Sequence, residues 1–556
     1  MDLSRVSISG RTLRTLGLTV LLLAAFLYQA ACGGNHSTSI VPVNPTPTPS
    51  PGQTDVVTYH YDKARTGANL SETVLTPANV NATKFGKIGF YSVDGKVDGQ
   101  PVYLSQVSIS GQGTHNVLYV VSEHASVYAF DADRGTTLWH VSLLGSGETP
   151  SDANNCGQIA PEIGITSTPV IDRSRTPHGA LYTVAMSKNA TGNYFQRIHA
   201  LDITTGAELF GGPATVTAAY PGTGDNSTGG SVIFDARQYA ERAGLLLLNG
   251  TVYTTWTSHC DQRPYTGWII GYDANTLTQT KVLNVTPNGS EGSIWMSGTA
   301  PAADSNGNIY FLDANGTFDT TLDANGFPSQ HDFGNSFLKL STSASLTVAD
   351  YFTMSGTVAE SNADEDLGSG GVLVLPDVTD SGGQTHQLAV GAGKDRVIYV
   401  VDRNAMGKFN PSADNIYQEI PGAFTDAVFS MPAYFNNTVY YGAVGNTIKA
   451  FPISNAKLAA TASSKTGNAF PYPGATPSIS ANGSSNAIVW AVENSSPAVL
   501  HAYDAANLAN QLYNSSQASG SRDQFGAGNK FITPMVVNGK VYVGTASGVA
   551  VFGLLP

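Results

Sequence analysis

The chain has 556 residues, too many for one ordinary core of about 100–200 residues, so it forms several domains or one repetitive architecture. Its 28 Lys and Arg against 41 Asp and Glu give a net charge of −13, and only 12% of the residues are charged. Such a chain lacks the clustered cations that bind phosphates, which argues against nucleic acid as a partner. The 59 Gly and 28 Pro indicate many turns, and 41% hydrophobic residues argue against disorder, so the composition favours an all-β protein.

The first residues have the pattern of an export signal. Three arginines precede an apolar run at 16–27 that is too short for a membrane span of about 20 residues. Cys32 follows small residues, which resembles a bacterial lipoprotein signal, although Gln29 stands where such signals usually have Leu. We predict a signal peptide over residues 1–31, a lipid on Cys32 and a location in the periplasm or on the cell surface. Export without a lipid is the alternative.

Residues 32–56 form a second segment, rich in Pro, Thr and Ser. The Pro-rich stretch at 41–51 is typical of a semi-rigid, extended spacer. We predict a linker that holds a folded body, residues 57–556, away from a membrane or wall. Membrane contact is then expected only through the N-terminal lipid anchor.

The remainder of the chain repeats a unit of two apolar strands separated by a Gly or Asn turn. Eight units follow one another roughly 40–70 residues apart: 118–131, 180–202, 252–273, 308–340, 388–402, 439–451, 488–504 and 541–552. A proline precedes most of them, as expected for the first residue of an innermost strand: Pro101, Pro169, Pro301, Pro432, Pro477 and Pro534. This pattern predicts an all-β fold, a single eight-bladed β-propeller of four-stranded antiparallel blades.

Closure of the ring can also be predicted. The last unit, 531–552, supplies about three strands before the chain ends, and the apolar stretch 84–93 precedes the first unit without a partner. Pairing that N-terminal stretch as the outer strand of the last blade completes the ring and protects the sheet edges.

The repeats resemble those of a known family. The pattern Ala129-x-Asp131-x-x-x-Gly135-x-x-x-Trp139 resembles the tryptophan-docking motif of quinoprotein alcohol dehydrogenase propellers, the PQQ-like repeat proteins, and the stretch from Ala200 to Phe210 is a weaker copy. The segment Tyr61-Asp62-x-x-Arg65-Thr66-Gly67-x-Asn69 resembles the lead-in segment of the same proteins. The resemblance spans nearly all of residues 57–555, and it implies that Trp139 packs between adjacent blades.

Ionisable residues concentrate in loops that the propeller places on one face. In a four-stranded blade, the loop before the inner strand and the loop between strands two and three share a face. In this charge-poor chain those loops contain Glu123, His124, Glu162, His259, Asp261, Asp313, Asp364, Lys394 and Asp523, together with Trp295. We predict the functional site at this rim, above the central channel.

The family resemblance implies roles for several of these residues. Lys394 matches the Lys or Arg that contacts the quinone, Asn315 matches a calcium-binding Asn, and Asp364 matches the general base and a further calcium ligand. Trp295 is expected to form a flat floor for the quinone, and Thr168 a further quinone contact. Such groups suit the chemistry, because calcium takes oxygen ligands and a carboxylate removes the alcohol proton as hydride leaves.

Two departures from the family pattern count against bound PQQ and calcium. The calcium-ligating Glu expected in blade two is absent from the stretch 186–192, and Glu123-His124 stands where the family has an adjacent-cysteine disulfide. The chain instead has Cys156 and Cys260, which are expected to form a disulfide in an oxidising compartment. Two buried free thiols are the alternative.

Three functions remain open, and the sequence does not decide whether the chain is an enzyme. The first is a PQQ-dependent dehydrogenase of alcohols or sugars. The second is a non-catalytic scaffold lipoprotein with an envelope-protein partner, similar to the propeller lipoprotein of the outer-membrane barrel-assembly machinery. The third is a glycan-binding protein with Trp256, Trp268 and Trp295 on its rim. The chain has no Gly-x-Ser-x-Gly, His-Glu-x-x-His or Walker motif, which excludes the chemistries those motifs support.

Overall fold

The computed structural model describes residues 54–556, which are almost entirely β-structure. The predicted signal peptide, Cys32 and nearly all of the predicted linker lie outside these residues. The described part contains one α-helix, Thr357–Asn362, and three short 3-10 helices, Met296–Gly298, Leu367–Ser369 and Ser519–Ser521. Within residues 54–556, no helix has the length and apolar character needed to cross a bilayer.

Eight sheets of four or more strands follow one another along the described chain, numbered here from the first complete one. Sheet 1 contains Val102–Ile109, Gly113–Val121, Ser126–Asp131 and Thr137–Ser142. Sheet 2 contains Glu148–Asp152, Glu162–Ile163, Val170–Asp172, Ala180–Asn189, Tyr194–Asp202 and Ala214–Thr215. Sheet 3 contains Tyr239–Glu241, Leu246–Leu248, Thr251–Ser258, Trp268–Asp273 and Gln279–Asn284. Sheet 4 contains Ala302–Ala303, Ile309–Leu312, Phe337–Ser341, Thr347–Thr353 and Lys408–Phe409.

Sheets 5 to 8 complete the series. Sheet 5 contains Leu373–Val374, Leu388–Ala392, Ile398–Asp402 and Gln418–Ile420. Sheet 6 contains Ala433–Phe435, Thr438–Tyr441, Lys449–Ser454, Lys457–Leu458 and Ser464–Lys465. Sheet 7 contains Ala68–Asn69, Ser478–Asn482, Ser485–Glu493, Val499–Asp504 and Gln511–Asn514, and sheet 8 contains Phe85–Ser92, Met535–Val537, Lys540–Gly544 and Gly548–Leu554. Two small sheets lie in connecting segments. One, between sheets 2 and 3 along the chain, contains Ala219–Pro221, Ser227–Thr228 and Ser231–Ile233. The other, between the first two strands of sheet 5, contains Val378–Thr379 and Thr385–His386.

Hydrophobic cores between neighbouring sheets show that the eight sheets form a closed ring. Each sheet shares one core with the sheet before it and another with the sheet after it. The decisive core joins the last sheet to the first, where Tyr542 and Val551 pack with Leu118 and Phe130. Burial of apolar side chains between blades stabilises such a ring, and the predicted β-propeller is confirmed.

The predicted strand pairs are present in the structure. All eight repeat units form antiparallel pairs within single sheets. The predicted closing strand, Phe85–Ser92, pairs with Gly548–Leu554 as the outermost strand of sheet 8. Strand Phe85–Ser92 therefore pairs with the C-terminal strand, and this pairing closes the ring.

The lead-in segment, residues 56–69, crosses the central channel and binds the inner strands around it. Val56 pairs with Tyr103 of sheet 1, and Asn69 donates to the Val536 carbonyl of sheet 8. Between them, carbonyls of the segment accept backbone hydrogen bonds from Ile171, Ala303, Val374, Tyr434 and Ile479. Four of these donors lie two residues after one of the prolines that precede the repeat units. Each of these prolines therefore begins an inner strand, and the backbone N–H two residues later binds the lead-in segment.

Buried polar side chains hold the lead-in segment in place. Arg65 is fully buried and donates to the Pro301 carbonyl at 2.9 Å and to the Tyr59 carbonyl at 2.8 Å. His60 Nδ1 lies 3.1 Å from the Arg65 carbonyl oxygen, and Nε2 lies 3.0 Å from the Pro477 carbonyl oxygen. Burial lowers the pKa of His60 to about 4, so this imidazole is neutral at pH 7 and its single N–H donates to one of the two carbonyls. These hydrogen bonds anchor the segment in the channel, and Arg65 Nη2 remains buried without a partner among the described residues.

The tryptophan-docking motif packs between blades as the resemblance implies. Trp139 on sheet 1 donates through Nε1 to the Ile203 carbonyl of sheet 2 at 3.0 Å. Its ring covers Gly206, where an added Cβ would lie 2.8 Å from the indole. Tyr91 of sheet 8 covers Gly135 of sheet 1 in the same way and donates to the Ala132 carbonyl at 2.9 Å. The Asp-x-x-x-Gly turn is therefore a docking surface for the preceding blade.

A glycine in the lead-in segment gives a test of this packing. Gly67 has a φ of +69°, and an added Cβ would lie 2.3 Å from His60 Cε1. We expect Gly67→Ala to lower the free energy of unfolding by more than the ~1 kcal/mol that a left-handed alanine costs, because the buried ring must also move. Gly111→Ala is the matched control, with a φ of +75° and no atom within 4 Å. Equal urea midpoints for the two variants would contradict the account.

Candidate functional site

A cavity of about 260 Å³ lies at the predicted rim of the channel. Its wall combines loops of sheets 2 to 5 with the connections that lead into sheets 4, 5, 6 and 7. Eight of the residues predicted from the sequence line it: Cys156, His259, Cys260, Asp261, Trp295, Asn315, Asp364 and Lys394. The structure therefore brings together residues that lie up to 238 positions apart, taken as 394 − 156.

Lys394 connects two carboxylates on one side of this cavity. Its ammonium forms an ion pair with Asp364 and another with Asp366, whose Oδ1 lies 2.8 Å from Nζ. Asn315 donates from Nδ2 to Asp364 Oδ1 at 3.4 Å. The Asp364 side chain is 65% exposed, whereas that of Asp366 is fully buried. Lys394 thus neutralises a buried charge and positions an accessible one.

Aromatic side chains form another part of the wall. The Trp295 ring lies 5.8 Å from that of Phe429 and 5.9 Å from that of Phe531, and Tyr472 packs edge-on against Phe429. These residues come from four different connections between sheets. The structure therefore places Trp295 at the cavity as predicted, within an aromatic cluster rather than as an isolated floor. Such clusters favour flat ligands.

Cys156 and Cys260 form a disulfide, with Cα atoms 5.6 Å apart. The bridge ties the loop of residues 153–161 in sheet 2 to the loop after strand Thr251–Ser258 in sheet 3, and both cysteines line the cavity. Lys530 also donates to Gln158 of the first loop at 2.9 Å. The loop is thus fastened over the cavity from two sides.

Several cavity residues hold backbone conformations that their side chains disfavour. Asp364, Cys260 and Asp261 all have φ values between +52° and +60°. A left-handed conformation is uncommon for residues other than Gly and Asn and costs of order 1–3 kcal/mol at each position. Strain of this kind persists only where the surrounding structure enforces it, and it gathers at ligand sites.

Other predicted rim residues do not line the cavity. His124 lies outside the cavity, with its Nδ1 3.0 Å from Glu162 Oε1. Glu123 is buried and accepts a hydrogen bond from the Gly164 backbone. Thr168 accepts from the Gln100 backbone in the channel wall. Asp523 is buried against Arg522, Tyr513 and the Lys87 backbone, and Asp313 is buried as well.

Two of the predicted rim aromatics are misplaced by the sequence analysis. Trp256 and Trp268 are fully buried in the core between sheets 2 and 3. Both lie inside paired strands of sheet 3, and each face of that sheet packs against a neighbouring blade, so a ring within a strand is buried between blades. A glycan site built on these two rings is therefore excluded, and Trp295 alone of the three reaches the cavity.

Sequence reasoning also missed two ionisable residues in the wall of sheet 3. Glu241 and Arg242 are adjacent, and both are about 95% buried. Burial raises the pKa of Glu241 to about 8, so the carboxyl is neutral at pH 7. Burial lowers the pKa of His259 nearby to about 4, so this imidazole is neutral too. Neither Glu241 nor Arg242 belongs to a motif or adjoins a turn signal, so no pattern in the sequence identifies either residue as part of a site.

Solved structures of known enzymes share this architecture. A quinohemoprotein alcohol dehydrogenase from Comamonas testosteroni superimposes with a TM-score of 0.60 at 14% identity, over 90% of this chain and 80% of that one. A second, from Pseudomonas putida HK5, gives 0.58 at 13% identity over 91% and 80% of the two chains. The chain has the fold of the quinoprotein dehydrogenases.

A third solved structure is also similar to this dehydrogenase-like propeller. A europium-containing methanol dehydrogenase gives a TM-score of 0.55 at 12% identity, over 91% of this chain and 98% of that one. No family profile matches the chain, and no curated protein matches it. At these identities the likeness establishes the fold, and the chemistry must be argued from the cavity itself.

Proposed function

We propose that this dehydrogenase-like propeller binds a flat quinone of the PQQ class in the cavity and oxidises the hydroxyl group of an alcohol or sugar. One observation carries the proposal. Asn315, Asp364, Lys394 and Trp295, which the family resemblance singles out in separate parts of the sequence, all line the same cavity.

The cavity has features that suit a quinone. Trp295 and its aromatic neighbours offer a flat surface, and the Cys156–Cys260 disulfide covers another side. The volume of about 260 Å³ is close to the lower limit of about 300 Å³ for small-molecule sites. When bound, the quinone would accept a hydride, which carries both electrons of the alcohol oxidation.

The chain supplies proton chemistry and positioning beside that acceptor. Asp364 is the accessible carboxylate of the cavity, and it accepts the proton of the substrate hydroxyl in this proposal. The ion pair with Lys394 and the hydrogen bond from Asn315 fix the orientation of this carboxylate.

The residues present do not fit a calcium ion. The Lys394 ammonium already occupies the position between Asp364 and Asp366. Near the blade-two stretch that lacks a carboxylate, Glu148 pairs with Arg197, which lowers the pKa of Glu148 to about 2, and Asp152 pairs with Lys188. Among the described residues, no group of three His, Cys, Asp or Glu side chains is arranged to hold a metal. The proposal therefore uses no metal.

The test is a dye-linked oxidation assay of the full chain with a panel of alcohols and sugars, with and without added PQQ. We expect turnover that depends on PQQ and that is not increased by calcium. A control reaction with heat-denatured protein measures the reaction of free quinone. No PQQ-dependent turnover across the panel would remove the dehydrogenase proposal.

A non-catalytic binding protein of the cell envelope is the second candidate. The observation that favours it is the double ion pair of Lys394, which engages the carboxylate that the dehydrogenase proposal uses as its base. This candidate expects a small-molecule, glycan or envelope-protein partner without turnover. Crosslinking in intact cells followed by mass spectrometry of the captured protein would identify a macromolecular partner.

We also propose export and lipid attachment at Cys32. Thr54 and Asp55 directly precede the lead-in segment, and Asp55 pairs with Arg173, which follows the inner strand of sheet 2. Metabolic labelling with a fatty acid, compared between the wild type and Cys32→Ala, tests the attachment. Equal labelling of the two proteins would contradict it.

A further inference from the structure

One cation in the cavity wall lacks a hydrogen-bond acceptor. Arg242 lines the cavity and is 5% exposed, and its Nε and Nη1 are buried without a partner among the described residues. The guanidinium carbon lies 4.8 Å from the centre of the Phe531 ring. Stacking on an aromatic face leaves the N–H groups of the guanidinium plane directed at whatever lies in that plane. A buried donor of this kind is costly unless an acceptor arrives.

The surrounding charges do not supply that acceptor. Asp98 accepts from Asn529 Nδ2 and forms an ion pair with Lys96 at 3.6 Å. Glu123 accepts from the backbone of Gly164 at 2.9 Å. Burial raises the pKa of Glu123 well above its ordinary value, and the neighbouring Asp98 raises it further. Neither Asp98 nor Glu123 forms a hydrogen bond with Nε or Nη1 of Arg242.

A second cation reinforces this part of the wall. Burial lowers the pKa of Lys530, and the charges of Arg242 and Lys96 lower it further, so the three cations lie close together. Lys530 donates to Gln158 in the loop that the disulfide fastens over the cavity. Three cations thus share one ion-paired carboxylate, Asp98, and the buried Nε and Nη1 of Arg242 have no hydrogen-bond acceptor among the described residues.

We propose that Arg242 binds a carboxylate of the ligand that occupies the cavity. This inference rests on the same cavity as the proposed function but does not use its oxidation step. The carboxylate belongs either to the quinone or to an acidic substrate such as a uronic acid, and the chemistry of recognition is the same. A guanidinium–carboxylate pair in a site shielded from water is a strong, charge-assisted contact.

The test compares two acids with their neutral counterparts. Isothermal titration measures the affinity of PQQ against PQQ trimethyl ester and of D-glucuronate against D-glucose, for the wild type and for Arg242→Met. We expect one acid, or both, to bind at least 10-fold more tightly than its neutral partner to the wild type, and we expect this ratio to fall close to one in Arg242→Met. The PQQ pair reports a quinone carboxylate, and the sugar pair reports a substrate carboxylate.

Controls separate recognition from folding. Arg396→Met removes an exposed guanidinium that pairs with Glu365 on the outer rim, and it should leave both ratios unchanged. Arg242→Lys keeps the positive charge and replaces Arg242→Met in the test if that variant does not fold. Its ratio of acid affinity to neutral affinity is expected to be lower than that of the wild type and above one. An acid preference that persists in Arg242→Met, or no preference in the wild type, overturns the inference. An acid preference without turnover retains it and removes the dehydrogenase.

Discussion

Replacing Asp364 with Asn is expected to lower kcat for PQQ-dependent oxidation by about 100-fold or more, the usual contribution of a positioned general base. The amide keeps the size of the side chain and can still accept from Asn315, but it cannot take up the hydroxyl proton. Because the Asp364 side chain is 65% exposed, the substitution should change the free energy of unfolding little. Steady-state kinetics at saturating PQQ measure the effect.

Glu365→Gln is the control for this variant. Glu365 is the neighbouring carboxylate, and it pairs with Arg396 at 3.1 Å outside the cavity. Its loss should leave kcat within about 2-fold of the wild type, since a contribution of general-base size requires contact with the reacting proton. An Asp364→Asn enzyme with wild-type kcat, or equal losses in both variants, would show that Asp364 is not the base.

Replacing Lys394 with Met is expected to lower the free energy of unfolding at pH 7 by about 3–5 kcal/mol. The reason is that Asp366 has a fully buried side chain and would lose the cation that pairs with it at 2.8 Å. Removing one partner of a buried ion pair typically costs this amount, because the other charge remains uncompensated. Urea denaturation measures the change.

The pH dependence of the Lys394→Met variant follows from Asp366. Burial raises the pKa of Asp366 even in the wild type, and Lys394 opposes that rise. Without Lys394 the folded state retains a proton that the unfolded state loses above pH 4, so the stability of the variant falls as the pH rises from about 4 towards neutrality. Lys394→Met with Asp366→Asn should recover most of the loss at pH 7. Equal destabilisation at pH 4 and pH 7 would contradict this reasoning.

The ring could be predicted because its signals are local and repeated. Alternating apolar residues and Gly or Asn turns recur in every blade, and a proline precedes most inner strands, so one misjudged unit does not change the result. The closing strand Phe85–Ser92 was predictable because the last unit lacked a fourth strand. The path of residues 56–69 across the channel could not be predicted. It depends on individual hydrogen bonds to seven sheets, and these produce no periodic pattern in the sequence.

The cavity was predictable only in part. Loop position placed Asn315, Asp364 and Lys394 on the correct face. Arg242, by contrast, is one cation directly after a short strand, and Phe429 and Phe531 follow no repeat. Their meeting depends on how the connections between sheets fold over the channel. The prediction for Trp256 and Trp268 was wrong because both faces of a blade pack against neighbouring blades, so large aromatic rings within strands are buried there and do not reach the rim.

The most direct measurement is the thermal melt of the full chain with and without PQQ, followed by a titration of the ligand to determine its stoichiometry. The account predicts one PQQ per chain and a stabilisation of about 2.7 kcal/mol at a ligand concentration 100-fold above the Kd, because the ligand binds only the folded cavity. Trp295→Ala should weaken this effect. An unchanged melt at saturating PQQ would contradict the claim that this cavity is a quinone site.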